Sequence, residues 1–144
     1  MAQANWTKEH VARYRDSSGA DGHIWTGHDG KGDFPCLLLT TKGRKSGELR
    51  TTPLIYGRDG DDYVIIASQG GRPNHPAWYL NLDNDATVEI QVEADVFAAS
   101  ARTSDAGDRD RLWKMMARVY PPYDDYQAKA AATRQIPVVV LSRS

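Results

Sequence analysis

The stretch that decides the fold runs from Phe34 to Ser68 and reads FPCLLLTTKGRKSGELRTTPLIYGRDGDDYVIIAS. Three short segments rich in aliphatic and β-branched residues, 34–41, 49–57 and 62–68, alternate in it with glycine-containing turns. Turns of this kind join neighbouring antiparallel strands. The stretch therefore predicts a three-stranded antiparallel meander.

The segments that follow predict a barrel with helices at its periphery. In chain order they are a short helix at 77–82, strands at 86–93 and 95–103, a helix capped by Ser104 and ended by Pro121-Pro122, a helical piece at 124–134 and a buried strand at 136–141. Hairpins stand where parallel βαβ units would place crossover helices. The order therefore predicts a mostly β (α+β) chain with a small antiparallel barrel, and it disfavours a Rossmann fold.

The residues before the meander predict a helix and a loop. Trp6, Val11 and Tyr14 have roughly helical spacing over 5–17, and the Gly-, Asp- and Ser-rich stretch 17–32 contains one apolar patch, Ile24-Trp25. We therefore divide the chain into an N-terminal helix and loop at 1–33 and a barrel at 34–144, within a single domain overall. A length of 144 residues fits one core.

Composition excludes several classes of protein. The net charge of -1 disfavours a general nucleic-acid binder, and no apolar run approaches the roughly 20 residues of a spanning helix. The N-terminus lacks a signal-peptide pattern, so we expect a cytoplasmic protein. The histidines show no metal-ligand spacing, which predicts no metal site. Cys36 lies in an apolar run, so we interpret it as a small buried hydrophobic residue.

The first segment with functional potential is the turn and strand 42–53. It carries Lys42, Arg44, Lys45 and Arg50, opposed only by Glu48. Arginine and lysine pair strongly with phosphate or carboxylate, so the segment is able to hold an anion. The alternative is a basic hairpin turn that contacts only solvent.

Two further segments have a similar double interpretation. Residues 66–71 form a strand end that enters a glycine-rich loop, which is either a ligand site or a simple strand exit. Tyr120-Pro-Pro-Tyr123-Asp-Asp-Tyr126, with Trp78 and Tyr79, supplies aromatic rings with phenolic tips. Such rings either line an apolar pocket and donate a hydrogen bond, or only pack.

In this order the segments resemble the deazaflavin-dependent nitroreductase family, also called F-420-dependent quinone reductases. The resemblance covers about residues 34–143 through LLLTTKGRKSGELRTTPLIYGRDGDDYVIIASQGG, HPAWYLNL, YPPYDDY and IPVVVL. It implies a split antiparallel β-barrel of the flavin-binding type. It also implies that reduced coenzyme F-420 is the cofactor, with its phosphate and polyglutamate tail near the basic turn.

The resemblance implies a set of site residues. Those expected to bind the cofactor are Arg44, Lys45 and Ser46 at the tail, Arg50, Thr51, Thr52, Pro53, Leu54 and Ile55 along the groove, Ile66, Ala67, Ser68 and Gln69 near the ring, and Ala77, Trp78 and Asn81 closing it. The expected catalytic residues are Ser68, as a donor to the ring, and Tyr120, Tyr123 and Tyr126, which orient the acceptor or help to protonate it. The best-known nitroreductases have Tyr where Ile55 stands and Lys where Gln69 stands.

The function implied is hydride transfer from reduced F-420 to quinones, nitroaromatics or conjugated lactones. Two alternatives stay open: an oxidoreductase that uses flavin mononucleotide on the same barrel, and a deazaflavin carrier without catalysis. The expected partner is a small-molecule electron acceptor, with no nucleic acid and no transmembrane segment. Peripheral contact with a membrane, and a monomer or weak homodimer, are also compatible with the sequence.

Overall fold

Strand and helix segments alternate in the structure much as the sequence predicts. The computed structural model describes the backbone of residues 2–144 and the side chains of residues 7–144. The elements are α1 (Ala2–Asp16), β1 (Ile24–Trp25), β2 (Phe34–Lys42), β3 (Leu49–Ile55), β4 (Gly57–Asp59), β5 (Asp62–Ile66), α2 (Ala77–Asn84), β6 (Thr87–Val92), β7 (Asp95–Thr103), α3 (Ala106–Val119), α4 (Pro122–Ala130) and β8 (Val138–Arg143). A 3-10 turn, Gln69–Gly71, lies between β5 and α2.

All strand pairs are antiparallel and form one curled sheet. Its order is β1-β2-β6-β7-β8-β5-β4, and β3 pairs with β2 outside this row. The strand that comes last in the sequence, β8, therefore lies between β7 and β5. This sheet with its peripheral helices confirms the predicted split-barrel fold class.

The predicted three-stranded meander is wrong in its middle strand, although both predicted turns join antiparallel strands. The segment expected to be one strand divides at Tyr56: β3 pairs with β2, whereas β4 pairs with β5. Gly57, the first residue after the division, lies close against α3, where an added Cβ would lie 2.6 Å from the Met116 sulfur. Instead of pairing with β3, β5 pairs with β4 on one side and with β8 on the other.

The sheet has a hydrophobic cluster on each face. Along β8, Val139 and Leu141 belong to the inner cluster with Trp78 and Leu82 of α2, while Val138 and Val140 belong to the outer cluster, which α3 and α4 cover. Alternate strand residues point to opposite faces, so a strand covered on both faces is a continuous apolar run. This explains the run at 136–141 from which the sequence predicts a buried strand.

Element ends differ from the predictions in ways that hydrogen bonds explain. Ser104 does not cap α3: its backbone N–H donates to the Val138 carbonyl (2.8 Å) and so continues the ladder of β7 and β8. The cap is Asp105, whose carboxylate accepts from the Asp108 N–H at 2.9 Å. The helical piece predicted at 124–134 is the shorter α4, with Pro122 at its first position, where a missing N–H costs nothing.

The N-terminal residues pack against the barrel. Tyr14 of α1 is fully buried, and its hydroxyl donates to the Cys36 carbonyl (2.9 Å) and accepts from the Glu93 N–H (2.8 Å). Arg15 donates to the Thr51 hydroxyl at 2.8 Å. The helix begins at Ala2 rather than at residue 5, and the side chain of Trp6, one of the three residues with helical spacing, lies outside the described side chains.

Cys36 is buried, with 3% of its surface exposed, and burial raises its pKa to about 12. We expect iodoacetamide at pH 8 to leave the folded protein unmodified, because the reactive thiolate is scarce and inaccessible. In denaturant the same reagent should modify one thiol per chain, as mass spectrometry would show. Full modification of the folded protein on the timescale of the denatured control would contradict this burial.

Candidate functional site

The turn between β2 and β3 presents a cluster of exposed cations. The turn closes through the Gly43 N–H, which donates to the Glu48 carbonyl at 2.7 Å. Arg50 pairs with the Glu48 carboxylate at 3.1 Å. Arg44 and Lys45 are exposed, and neither has an ion-pair partner among the side chains of residues 7–144. These two cations are therefore available to an anion from solution.

Asn81 attaches helix α2 to this basic turn. Its buried side-chain oxygen accepts from the Arg44 N–H, and its amide nitrogen donates to the Thr41 hydroxyl, both at 3.1 Å. Because both its oxygen and its nitrogen have protein partners, the Asn81 amide holds the start of the basic turn in a fixed position relative to α2. On the same helix Trp78 is buried in the inner cluster and Ala77 is exposed.

The residues predicted along β3 divide between two faces of the strand, because side chains alternate. Arg50, Thr52 and Leu54 share the inner face, whereas Thr51, Pro53 and Ile55 share the outer one. The Thr51 hydroxyl also bonds to the Thr40 hydroxyl at 2.7 Å. A groove along one face therefore meets only half of the predicted set.

The loop that follows β5 has an unusual backbone. Ser68 is buried, and the next three residues, Gln69, Gly70 and Gly71, have φ of 46°, 64° and 79°. Gln69 is the only one of the three with a side chain, and its amide donates to the Asn74 carbonyl at 3.1 Å. Left-handed backbone is uncommon for such a residue, so contacts elsewhere must hold the loop in place.

The three predicted tyrosines form one cluster. Tyr120 and Tyr123 are 5% exposed and Tyr126 is half-buried, with ring centroids 5.0 to 6.3 Å apart. The hydroxyls of Tyr120 and Tyr126 lie 3.1 Å apart and share a hydrogen bond. Burial raises the pKa of Tyr120 and of Tyr123, so both phenols keep their protons at neutral pH.

The structure brings the three predicted segments into one continuous row. The basic turn contacts α2 through Asn81, and α2 follows directly from the loop that contains Ser68. That loop abuts α4, because an added Cβ on Gly71 would lie 2.8 Å from the Tyr126 carbonyl oxygen. The row runs from exposed cations at one end to phenol hydroxyls at the other.

Several residues in contact with the row are not among those that the sequence predicts for the site. Trp25 and Phe34 pack on Tyr120, with centroids 6.0 and 4.9 Å away. Trp25 lies in the apolar patch of the N-terminal stretch that the sequence predicts to be a loop, and Phe34 begins the first predicted strand, so neither pattern indicates a contact with Tyr120. Arg134 donates to carbonyls of the Ser68 loop. No local pattern identifies it, because its partners are backbone groups distant in sequence.

Two surface hollows lie elsewhere. One, of about 440 Å³, is lined by Arg58, Asp61, Asp62, Tyr63, Ser142, Arg143 and Ser144. The other, of about 300 Å³, is lined by His10, Arg13, Asp21, Gly22, Ile24, Trp25, Thr26 and Gly27. Neither contains a residue predicted to bind the cofactor, whereas the row contains residues from all three predicted segments.

Comparison with known proteins gives consistent matches. Residues 6–143 match the family described as F-420H(2)-dependent quinone reductase. An F-420H(2)-dependent quinone reductase of Mycobacterium tuberculosis is 41% identical over 152 residues, which cover 99% of each chain.

Two solved structures extend the likeness to three dimensions. A reductase described as F-420-H2-dependent is 38% identical, covers 75% of this chain and 94% of its own, and superimposes with a TM-score of 0.68. A structure described as a domain-swapped dimer is 33% identical over 97% of this chain and 99% of its own, with a TM-score of 0.70. The chain thus belongs to the F-420H(2)-dependent quinone reductases, a family of oxidoreductases that use the reduced deazaflavin F-420.

Proposed function

We propose that this chain transfers hydride from reduced F-420 to quinones, and that nitroaromatics and conjugated lactones are further acceptors. The observation that carries the proposal is the continuous row from Arg44 and Lys45 to the paired hydroxyls of Tyr120 and Tyr126. An anionic tail fits the first end of this row, and an electron acceptor that gains negative charge fits the second.

The residues present fit the cofactor of the family. Arg44 and Lys45, without ion-pair partners in the described side chains, would hold the anionic tail by charge and hydrogen bonding. The half-buried Leu54 offers apolar surface beside it, and the inner cluster that contains Trp78 supports Leu54 from below. When bound, reduced F-420 supplies the hydride, and the protein contributes orientation and exclusion of water.

At the acceptor end, Tyr126 is the residue we assign as hydrogen-bond donor. It is half-buried, whereas Tyr120 and Tyr123 are nearly inaccessible. If the Tyr120 hydroxyl donates to Tyr126, the Tyr126 proton is free to point at the acceptor oxygen. Ser68 would donate to the cofactor ring, and the ring of Tyr123 would serve as a wall.

One pair of measurements separates this function from the two alternatives. We expect fluorescence titration to give a lower Kd for F-420 than for flavin mononucleotide. We also expect the protein to reduce menadione when reduced F-420 is supplied. Tighter binding of flavin mononucleotide would assign the other cofactor. Binding of F-420 with no turnover of menadione or of a nitroaromatic acceptor would indicate a carrier.

We expect Arg44→Ala combined with Lys45→Ala to weaken F-420 binding by roughly 10- to 30-fold, because each exposed charge contact contributes about 1 kcal/mol. The salt dependence of Kd should also flatten, since salt screens exposed charges beyond about 10 Å at 0.1 M. Fluorescence titration at several salt concentrations measures both effects.

The matched control is Lys31→Ala combined with Arg118→Ala, which removes two exposed cations outside the row. It should leave the Kd and its salt dependence unchanged. If the two double variants behave alike, the basic turn contacts only solvent and the tail binds elsewhere.

For location and assembly, we propose a cytoplasmic protein that is a monomer or weak homodimer. Among the helices of residues 2–144, none is long and apolar enough to cross a membrane. The homodimer alternative is supported by the similar structure that is described as a domain-swapped dimer. Light scattering at two protein concentrations tests the assembly, and a dimer mass that does not change with dilution would contradict a weak association.

A further inference from the structure

The guanidinium of Arg134 makes four polar contacts with the loop that contains Ser68. It lies just beyond α4 and is half-buried. Its guanidinium donates to the carbonyls of Ser68 (2.7 Å), Ala67 (2.9 Å) and Arg72 (3.0 Å). It also lies 3.0 Å from the Nδ1 atom of His75. One planar group therefore contacts both the beginning and the end of the loop at 67–75.

The loop depends on these contacts because it has few hydrogen bonds of its own. Within it, the described backbone bonds are those from the Gly71 N–H to the Ser68 carbonyl and from the Arg72 N–H to the Gln69 carbonyl. Three consecutive residues have left-handed φ. A backbone of this kind keeps one conformation only when surrounding groups fix it.

Arg134 is itself attached to the helix that carries the tyrosines. Its backbone N–H donates to the Ala130 carbonyl at 2.9 Å, and its carbonyl accepts from the Gln127 side chain at 3.2 Å. Gln127 and Ala130 belong to α4, which also contains Tyr123 and Tyr126. The guanidinium therefore joins the loop with Ser68 to the helix with the phenols.

We propose that Arg134 is a positioning residue that sets the distance and angle between the Ser68 loop and the tyrosine helix. The inference rests on the proposed function, in which the loop faces the cofactor ring and the helix faces the acceptor. Arg134 is remote from the basic turn in the row, so it acts on orientation for hydride transfer rather than on affinity for the cofactor tail.

The test uses three variants of the full chain. Arg134→Gln removes the charge and most donors, and Arg134→Lys keeps the charge but replaces the planar fork by a single ammonium group. Arg118→Gln is the matched control, an exposed arginine of α3 with no ion pair to another described side chain.

The first readout needs no cofactor. Hydrogen exchange followed by mass spectrometry should show peptides spanning 68–75 exchanging at least tenfold faster in Arg134→Gln than in the wild type. Peptides from β6 and β7 should exchange as in the wild type, because Arg134 contacts neither strand. Arg134→Lys should lie between the two, and Arg118→Gln should match the wild type.

The second readout is a split between turnover and binding. We expect Arg134→Gln to lower kcat for menadione by about 10- to 100-fold, since a shift of about 1 Å between reacting groups has effects of that size. The Kd for F-420 and the KM for menadione should change less than threefold. Arg134→Lys should recover part of kcat.

The outcomes separate this inference from the proposed function. A wild type that neither binds F-420 nor reduces menadione defeats the proposed function, while the exchange experiment still decides whether Arg134 holds the loop. An active wild type with Arg134→Gln equal to Arg118→Gln in exchange and in kcat overturns the inference. Global unfolding of both Arg134→Gln and Arg134→Lys also overturns it, because Arg134 would then be a general determinant of the fold.

Discussion

Replacing Tyr126 by phenylalanine is expected to lower kcat/KM for menadione by about 10- to 1,000-fold, the range for loss of one positioned donor. The ring and its packing stay, and only the hydroxyl that bonds to Tyr120 is lost. The Kd for F-420 should therefore be unchanged, and the melting temperature should fall only slightly, by the equivalent of about 1 kcal/mol for one hydrogen bond. Steady-state kinetics at saturating cofactor, a fluorescence titration with F-420 and a thermal melt measure the three quantities.

The other two tyrosines provide graded controls for this result. Tyr120→Phe removes the group that orients the Tyr126 hydroxyl, so its effect on kcat/KM should be smaller than that of Tyr126→Phe. Tyr123 is deeply buried, and its hydroxyl has no hydrogen bond to another described residue, so Tyr123→Phe should keep activity within about threefold. Wild-type activity in all three variants would refute a phenolic role and leave solvent as the proton source.

Replacing Gly71 by alanine is expected to lower the free energy of unfolding by about 2 to 5 kcal/mol. Left-handed backbone at φ 79° costs an alanine about 1 to 2 kcal/mol, and overpacking costs about 1 to 3 kcal/mol more. The overpacking arises because the added Cβ would lie 2.8 Å and 3.0 Å from the Tyr126 carbonyl oxygen and Cα, and backbone cannot move aside cheaply. Denaturant unfolding measures the loss.

The neighbouring glycine is a matched control. Gly70 has φ 64°, yet an added Cβ there meets no atom within 4 Å. Gly70→Ala should therefore cost only the backbone strain of about 1 to 2 kcal/mol. If both variants lose the same free energy of unfolding, the loop can shift away from α4 to accommodate the added methyl group. The loop would then be free to move relative to the tyrosines.

Most of the fold was predictable because the pattern of apolar residues along a strand depends on which of its faces are buried. The run at 136–141 is apolar throughout because β8 is covered on both faces, and the alternation at Val88, Ile90 and Val92 marks a strand of the sheet. Local patterns do not indicate which strand or helix lies beside a given strand in the fold. Nothing in the segment 49–57 indicates that residues 49–55 pair with β2 and that Gly57 already pairs with β5, so one predicted strand became two.

The site was predictable in part. Residue patterns identified three segments, and the structure joins them into one row. The resemblance then assigned Arg50 to Ile55 to the cofactor as a contiguous set, although the alternation of strand side chains already implies two faces. Arg134 was not predictable, because its partners are carbonyl oxygens, which every residue has, at positions about 60 or more earlier in the chain.

The central position of β8 has a consequence for how the chain folds. Until residues 138–143 are in place, β7 and β5 each have an unpaired edge, and β5 with β4 is only an isolated hairpin, which is marginal in water. The strand that joins the two parts brings together side chains as far apart as Asp62 and Ser142, 80 positions along the chain. Closing so long a loop is slow compared with forming local structure. Any state in which β8 has not yet docked therefore has two open strand edges, and open edges of this kind are where copies of a chain aggregate.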